Sequence, residues 1–210
     1  MRLPEKVQSW LVEIRHPLRG LQLTAQGDAR GLSHFDVSDE GIIRSFRAVL
    51  FSLPAFLVYA ILRRIEFLQA LPDLGRWHLT FIFQVLVIEA SLWCFTILSL
   101  ILSGMALGLR PLIRPMIVMA NWGAIPFVYA AVLTLIPVLL LLNETSTLQW
   151  LVSIGLLLAL LTMALILVWR ILRTVVGGTK WRRAALLLMT ILPPMWIIQH
   201  LEAAMGLTHG

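Results

Sequence analysis

Apolar and polar positions along this chain fall into long blocks. From Leu79 to Ser103 the sequence runs 25 residues with almost no charge. As a helix, such a run crosses the roughly 30 Å hydrocarbon core of a bilayer. Residues 42–62, 116–142, 148–169 and 184–206 form four further apolar runs. Pro72, Asp73 and Gly75 punctuate the first connection, with Trp77 at the span boundary that follows. Arg110 to Pro115 reads as a basic turn, Asn143 to Ser146 as a polar turn offering Asn143 or Ser146 as a cap, and Arg170 to Arg183 as a basic loop around Gly177 and Gly178. The pattern predicts an all-α, polytopic membrane helix bundle of five transmembrane helices.

The spans differ in regularity. The uncharged core of the first, Ala48 to Leu62, has only 15 residues. It crosses if its flanking arginines snorkel to the headgroups; a re-entrant helix is the alternative. Pro54 is expected to kink it. Pro126 and Pro137 should bend the third span, and Pro193–Pro194 should break the fifth. Gly104 and Gly108 give a GxxxG spacing, read here as a helix terminus. The fourth span is the most uniformly apolar and should face lipid over much of its surface.

Residues 1–41 stand apart as a cytoplasmic segment. Leu3, Val7, Trp10, Leu11, Ile14, Leu18 and Leu21 recur at helical spacing. They predict an amphipathic helix, starting near Pro4 and ended or kinked by Pro17 near His16. It either packs under the bundle or lies on anionic lipid, and the two are compatible. Gln22 to Gly41 is turn-rich and reads as a loop. Asp36 or Ser38 would cap the next helix, with Asp39 and Glu40 in its first turn.

Composition agrees with the blocks. Hydrophobic residues make up 59% and charged residues 13% of the chain, against about 25% charged in soluble domains. The formal net charge of +6 does not point to nucleic acid. The basic residues cluster at span ends, where lipid phosphates and orientation account for them. Cys94, the single cysteine, lies inside a span and reads as a small apolar residue. No cleavable signal sequence is expected, and no cofactor.

Charge also gives direction. Seven basic residues lie at or before Arg47, two between the second and third spans, and five between the fourth and fifth. Only three, Arg63, Arg64 and Arg76, fall on the other side. Positive charge stays cytoplasmic, which places the N-terminus inside and the C-terminus outside, most simply in a bacterial inner membrane. Arg44, Arg47, Arg170, Arg173, Arg182 and Arg183 are read as facing anionic lipid headgroups.

Glu89 is the only acid deep inside an apolar run. A carboxylate there needs a partner, a proton or a water-filled cavity. Thr96, Ser99 and Ser103 follow it along one stripe of the helix. Tyr129 is expected at its depth as a hydrogen-bond partner and Asn121 deeper, while no basic residue is expected level with it. Glu89, Thr96, Ser103, Asn121 and Tyr129 are therefore the candidate intramembrane polar site. His200, Glu202 and His209 diverge too far to read as metal ligands. No nucleophile elbow, P-loop or HExxH occurs, and the chain does not read as an enzyme.

Five spans after a short cytoplasmic segment, entered through Phe35-Asp36-Val37-Ser38 to Ser45-Phe46, resemble Yip1-domain membrane proteins, including bacterial ones. The expected function is a non-enzymatic scaffold, assembly or membrane-organising protein. Its partners would be the bilayer and a membrane protein or a second copy. The alternative is a small transporter or channel subunit using Glu89 as a proton or cation relay.

Overall fold

The computed structural model describes residues 5–70, 78–142 and 147–207. The features read at Leu3, Pro4, Pro72, Asp73, Gly75, Trp77, Asn143, Ser146 and His209 lie outside them. Among the described residues the chain is helical throughout its regular structure. Seven α-helices form: α1 (Glu5–Ala25), α2 (Asp39–Ser45), α3 (Ala48–Ala70), α4 (His78–Ala106), α5 (Arg110–Leu142), α6 (Thr147–Val175) and α7 (Lys180–Ala204), with a short 3-10 helix over Ala29–His34. Among the described residues, five segments are long and apolar enough to cross a membrane: Asp39–Leu68, Leu79–Ala106, Arg110–Leu139, Thr147–Val175 and Lys180–Ala204. This is the arrangement of a multi-pass membrane protein.

The helices run past the limits drawn from charge. The first span reaches from Asp39 to Leu68, 30 residues with one break at Phe46–Arg47. Its length no longer depends on the 15 uncharged residues, because Arg63 and Arg64 sit within the helix. The basic turn read at Arg110–Pro115 is the start of α5. Pro111 falls in the first turn, where an N–H has no intrahelical partner, and Pro115 lies within the helix. Likewise Arg170 to Val175 continues α6, so the connection to α7 shrinks to residues 176–179. Gly177 and Gly178 there hold φ of 59° and 63°, and Thr179 caps α7 by accepting from Arg182 N at 3.4 Å. Nor does Pro17 stop α1, which runs on to Ala25; α7 likewise runs through Pro193 and Pro194.

Termination of α4 at the glycine pair agrees with the sequence. Gly108 has φ +67°, and Leu109 N donates back to Gly104 O at 2.7 Å, a left-handed helix ending that favours glycine. Of the two N-cap candidates, Ser38 takes the role, accepting from Gly41 N at 3.1 Å. Asp36 supports it, accepting from Ser38 Oγ at 2.6 Å and from Ser38 N at 3.1 Å.

Two buried clusters hold the helices. The larger joins Leu21 of α1 and Phe35 to Ala48 of α3, Ile97 and Leu100 of α4, Met116 to Met119 and Trp122 of α5, Leu172 and Val175 of α6, and Leu186 of α7. The N-terminal segment is thus built into the bundle: Ile14 and Leu18 pack against the same cluster. The smaller lies toward the opposite end, with Ala60 and Phe67 of α3, Phe81, Val85 and Ile88 of α4, and Ile198 of α7. Helix α6 stands outside both along most of its length. Only 6% of its most apolar window is buried, against 17–33% in the other four, as expected for a helix bathed in lipid.

Candidate functional site

The five sequence candidates do not form one site. Asn121 on α5 is fully buried. Its Nδ2 donates to Ser45 Oγ at 2.8 Å, and its Oδ1 accepts from Trp93 Nε1 at 2.8 Å. Ser45 Oγ in turn donates to Ile42 O at 2.6 Å. One amide therefore links α2, α4 and α5 with both its polar ends in use. Tyr129 does not reach Glu89. Its hydroxyl donates to Phe51 O at 3.1 Å, tying α5 to α3. Ser103 is buried and donates to Ser99 O, four residues back, at 2.6 Å, while Thr96 is half-buried.

Glu89 stands with a different set. It is half-buried on α4, in the neighbourhood of Arg63 of α3 and Glu202 of α7. Tyr59 of α3 lies within reach of the same group. Arg63 bridges Glu202 at 3.5 Å and Glu66 at 3.5 Å. A basic residue stands nearer to Glu89 than the apolar runs suggest. Arg63 marked the end of an apolar run, but α3 continues seven residues beyond it, carrying it about 10 Å in from the helix end. Nearby, Arg64 is buried over the faces of Phe81 and Phe67, 5.1 and 5.8 Å from the ring centroids, an arrangement that favours a guanidinium.

The basic residues read as lipid-facing divide in two. Arg44, Arg170 and Arg173 are exposed; Arg47 is exposed too and pairs with Glu13 at 3.1 Å. Arg182 and Arg183 turn inward. Arg182 Nη2 donates to Leu107 O at 2.6 Å and Gly108 O at 3.3 Å. These carbonyls close α4, where helix ends leave acceptors open and a cation is favoured. Arg183 is buried with its guanidinium over Trp169 at 5.1 Å, so Trp169 takes the place of the headgroup.

The N-terminal segment carries its own fixed charges. The Arg30 side chain beside Asp28, at 2.7 Å, holds that carboxyl below its ordinary range. The Ser38 hydroxyl does the same for Asp36. Thr174 Oγ1 of α6 donates to Thr24 O of α1 at 2.9 Å, locking this segment to a span. His200 pairs within its own helix, Nδ1 donating to Trp196 O at 2.8 Å. Among the described residues, no three His, Cys, Asp or Glu side chains gather as metal ligands.

Sequence reasoning missed Ser45, Trp93 and Arg63. Ser45 is 76 residues from Asn121, and periodicity carries no signal for such a pair. Compared with protein-family models, with curated proteins and with solved structures, the chain matches none.

Proposed function

We propose that this chain is a non-enzymatic membrane scaffold of the bacterial inner membrane, with its N-terminus in the cytoplasm and its C-terminus outside. It would present residues 5–38 as a folded platform on the cytoplasmic face, in contact with anionic lipid headgroups and a membrane-protein partner or second copy. The carrying observation is the larger buried cluster, which gathers the N-terminal segment and all five spans. A segment tethered only by its ends would not share a core with every span. The charge asymmetry supports the orientation. The five-span, N-inside layout is the basis for a Yip1-like assignment.

Polar groups inside the bundle favour the same reading. Asn121, Ser45 and Trp93 satisfy one another across three helices, and hydrogen bonds between helices hold a membrane bundle together. Ser91, Ser103 and Ser153 donate to carbonyls of their own helices and so present no open donor. One observation favours the transporter alternative: Arg63 pairs with Glu202 at 3.5 Å inside the span region that also holds Glu89, and intramembrane ionisable groups often mark ion paths.

Flux in proteoliposomes separates the two. The scaffold predicts no proton or cation flux under an imposed pH or salt gradient. A flux present in the wild type and abolished by Glu89→Gln, in a variant that remains folded, would replace the scaffold with the transporter.

A further inference from the structure

A groove of about 300 Å³ opens sideways between the end of α1 and α6. Gln22, Ala25 and Gln26 line it from α1, and Met163, Ile166, Leu167 and Arg170 line it from α6. The α6 residues fall at i, i+3, i+4 and i+7, so they form one stripe about 10 Å long. Three of them are apolar and largely exposed, at 58%, 55% and 46%; the fourth, toward the surface end of the span, is an arginine. Facing it across the groove are two glutamines with exposed amides. Arg19 adds a second guanidinium, its Nη1 donating to Gln22 Oε1 at 3.4 Å. No carboxylate among the described residues pairs with Arg170. The Thr174–Thr24 hydrogen bond holds the two walls together one turn beyond Arg170.

We infer that this groove binds one anionic phospholipid. The acyl chain lies along Met163, Ile166 and Leu167, and the headgroup phosphate meets Arg170 with donors from Arg19 and Gln26. The gradient from apolar stripe to cationic end matches the gradient along a lipid molecule. A soluble anion would leave the apolar wall unused, and an apolar helix from a partner would leave both guanidinium groups unmatched. The inference rests on the proposed contact with anionic headgroups and gives it a location.

Native mass spectrometry of the purified full chain tests this, with phosphatidylglycerol and phosphatidylcholine as probes. The wild type should retain one phosphatidylglycerol in preference to phosphatidylcholine. Arg170→Gln should weaken that retention about fivefold, the effect of one arginine near an anionic headgroup. Ile166→Trp, which fills the groove and leaves the charge, should weaken it too. Arg44→Gln, exposed on α2 away from the groove, should bind as the wild type does. If Arg170→Gln and Ile166→Trp both retain the lipid fully, the groove is not the site. Equal losses in Arg170→Gln and Arg44→Gln, with none in Ile166→Trp, would reduce the contact to diffuse charge and overturn the groove alone. No preference in the wild type would overturn the groove and the proposed headgroup contact together.

Discussion

Trp93 Nε1 donates to Asn121 Oδ1 at 2.8 Å, from α4 to α5, and the same amide donates onward to Ser45 at 2.8 Å. Asn121 and Ser45 are fully buried, and Trp93 is half-buried. Removing the amide strands an indole N–H and takes a donor from a buried hydroxyl. Asn121→Ala should therefore destabilise the protein by about 1–3 kcal/mol, toward the lower end if, as within bilayers, the partners find substitutes. Thermal unfolding in detergent checks this. A variant as stable as the wild type would mean that the three helices do not depend on this link.

Close backbone packing gives a second prediction. Gly31, in the 3-10 helix, faces α1 so closely that a Cβ would stand 2.6 Å from Gly20 O and 2.7 Å from Thr24 N. Backbone atoms cannot move aside as a side-chain tip can. Gly31→Ala should force the 3-10 helix off α1, costing about 1–3 kcal/mol as overpacked sites do. Limited proteolysis across residues 26–38 should speed up, with the span fragments unaffected.

Acid should loosen the same segment. Asp28 and Asp36 both have folded pKa values below the ordinary 3.8. A depressed carboxyl stabilises the fold above its unfolded pKa and loses that contribution as pH falls through the folded pKa. The contribution is thus complete above about pH 5 and fades below about pH 4. Asp36→Asn should be less stable than the wild type at pH 7, and the difference should shrink steadily toward pH 3. Melting curves of the two proteins across that range measure it. A constant difference would mean that the Asp36 charge plays no part.

The spans were legible in the sequence because hydrocarbon tolerates so few polar residues that five apolar runs stand out by composition. Their ends were not, because charge marks where a helix meets headgroups and not where its hydrogen bonding stops. Arg63, Arg110 and Arg170 all sit inside helices for that reason. The apolar stripe of α1 was equally legible, and its docking partner was not: Ile14, Leu18 and Leu21 show a face and leave open what covers it. The candidate site fared worst. Asn121 and Tyr129 stand out as polar within their spans, but what they bond, Ser45 and Phe51, lies on other helices.

The docking of α1 under the spans is the claim on which the scaffold depends, and one cross-link tests it directly. A Cβ on Gly123 of α5 would lie 3.8 Å from a methyl of Leu21. In a Cys94→Ala background, Leu21→Cys and Gly123→Cys should be joined by a short bis-thiol reagent in native membranes, and mass spectrometry should recover the linked peptides. The pair Leu21→Cys and Ala203→Cys should stay unlinked. Failure to link 21 with 123, with both thiols shown to react singly, would contradict the docked platform.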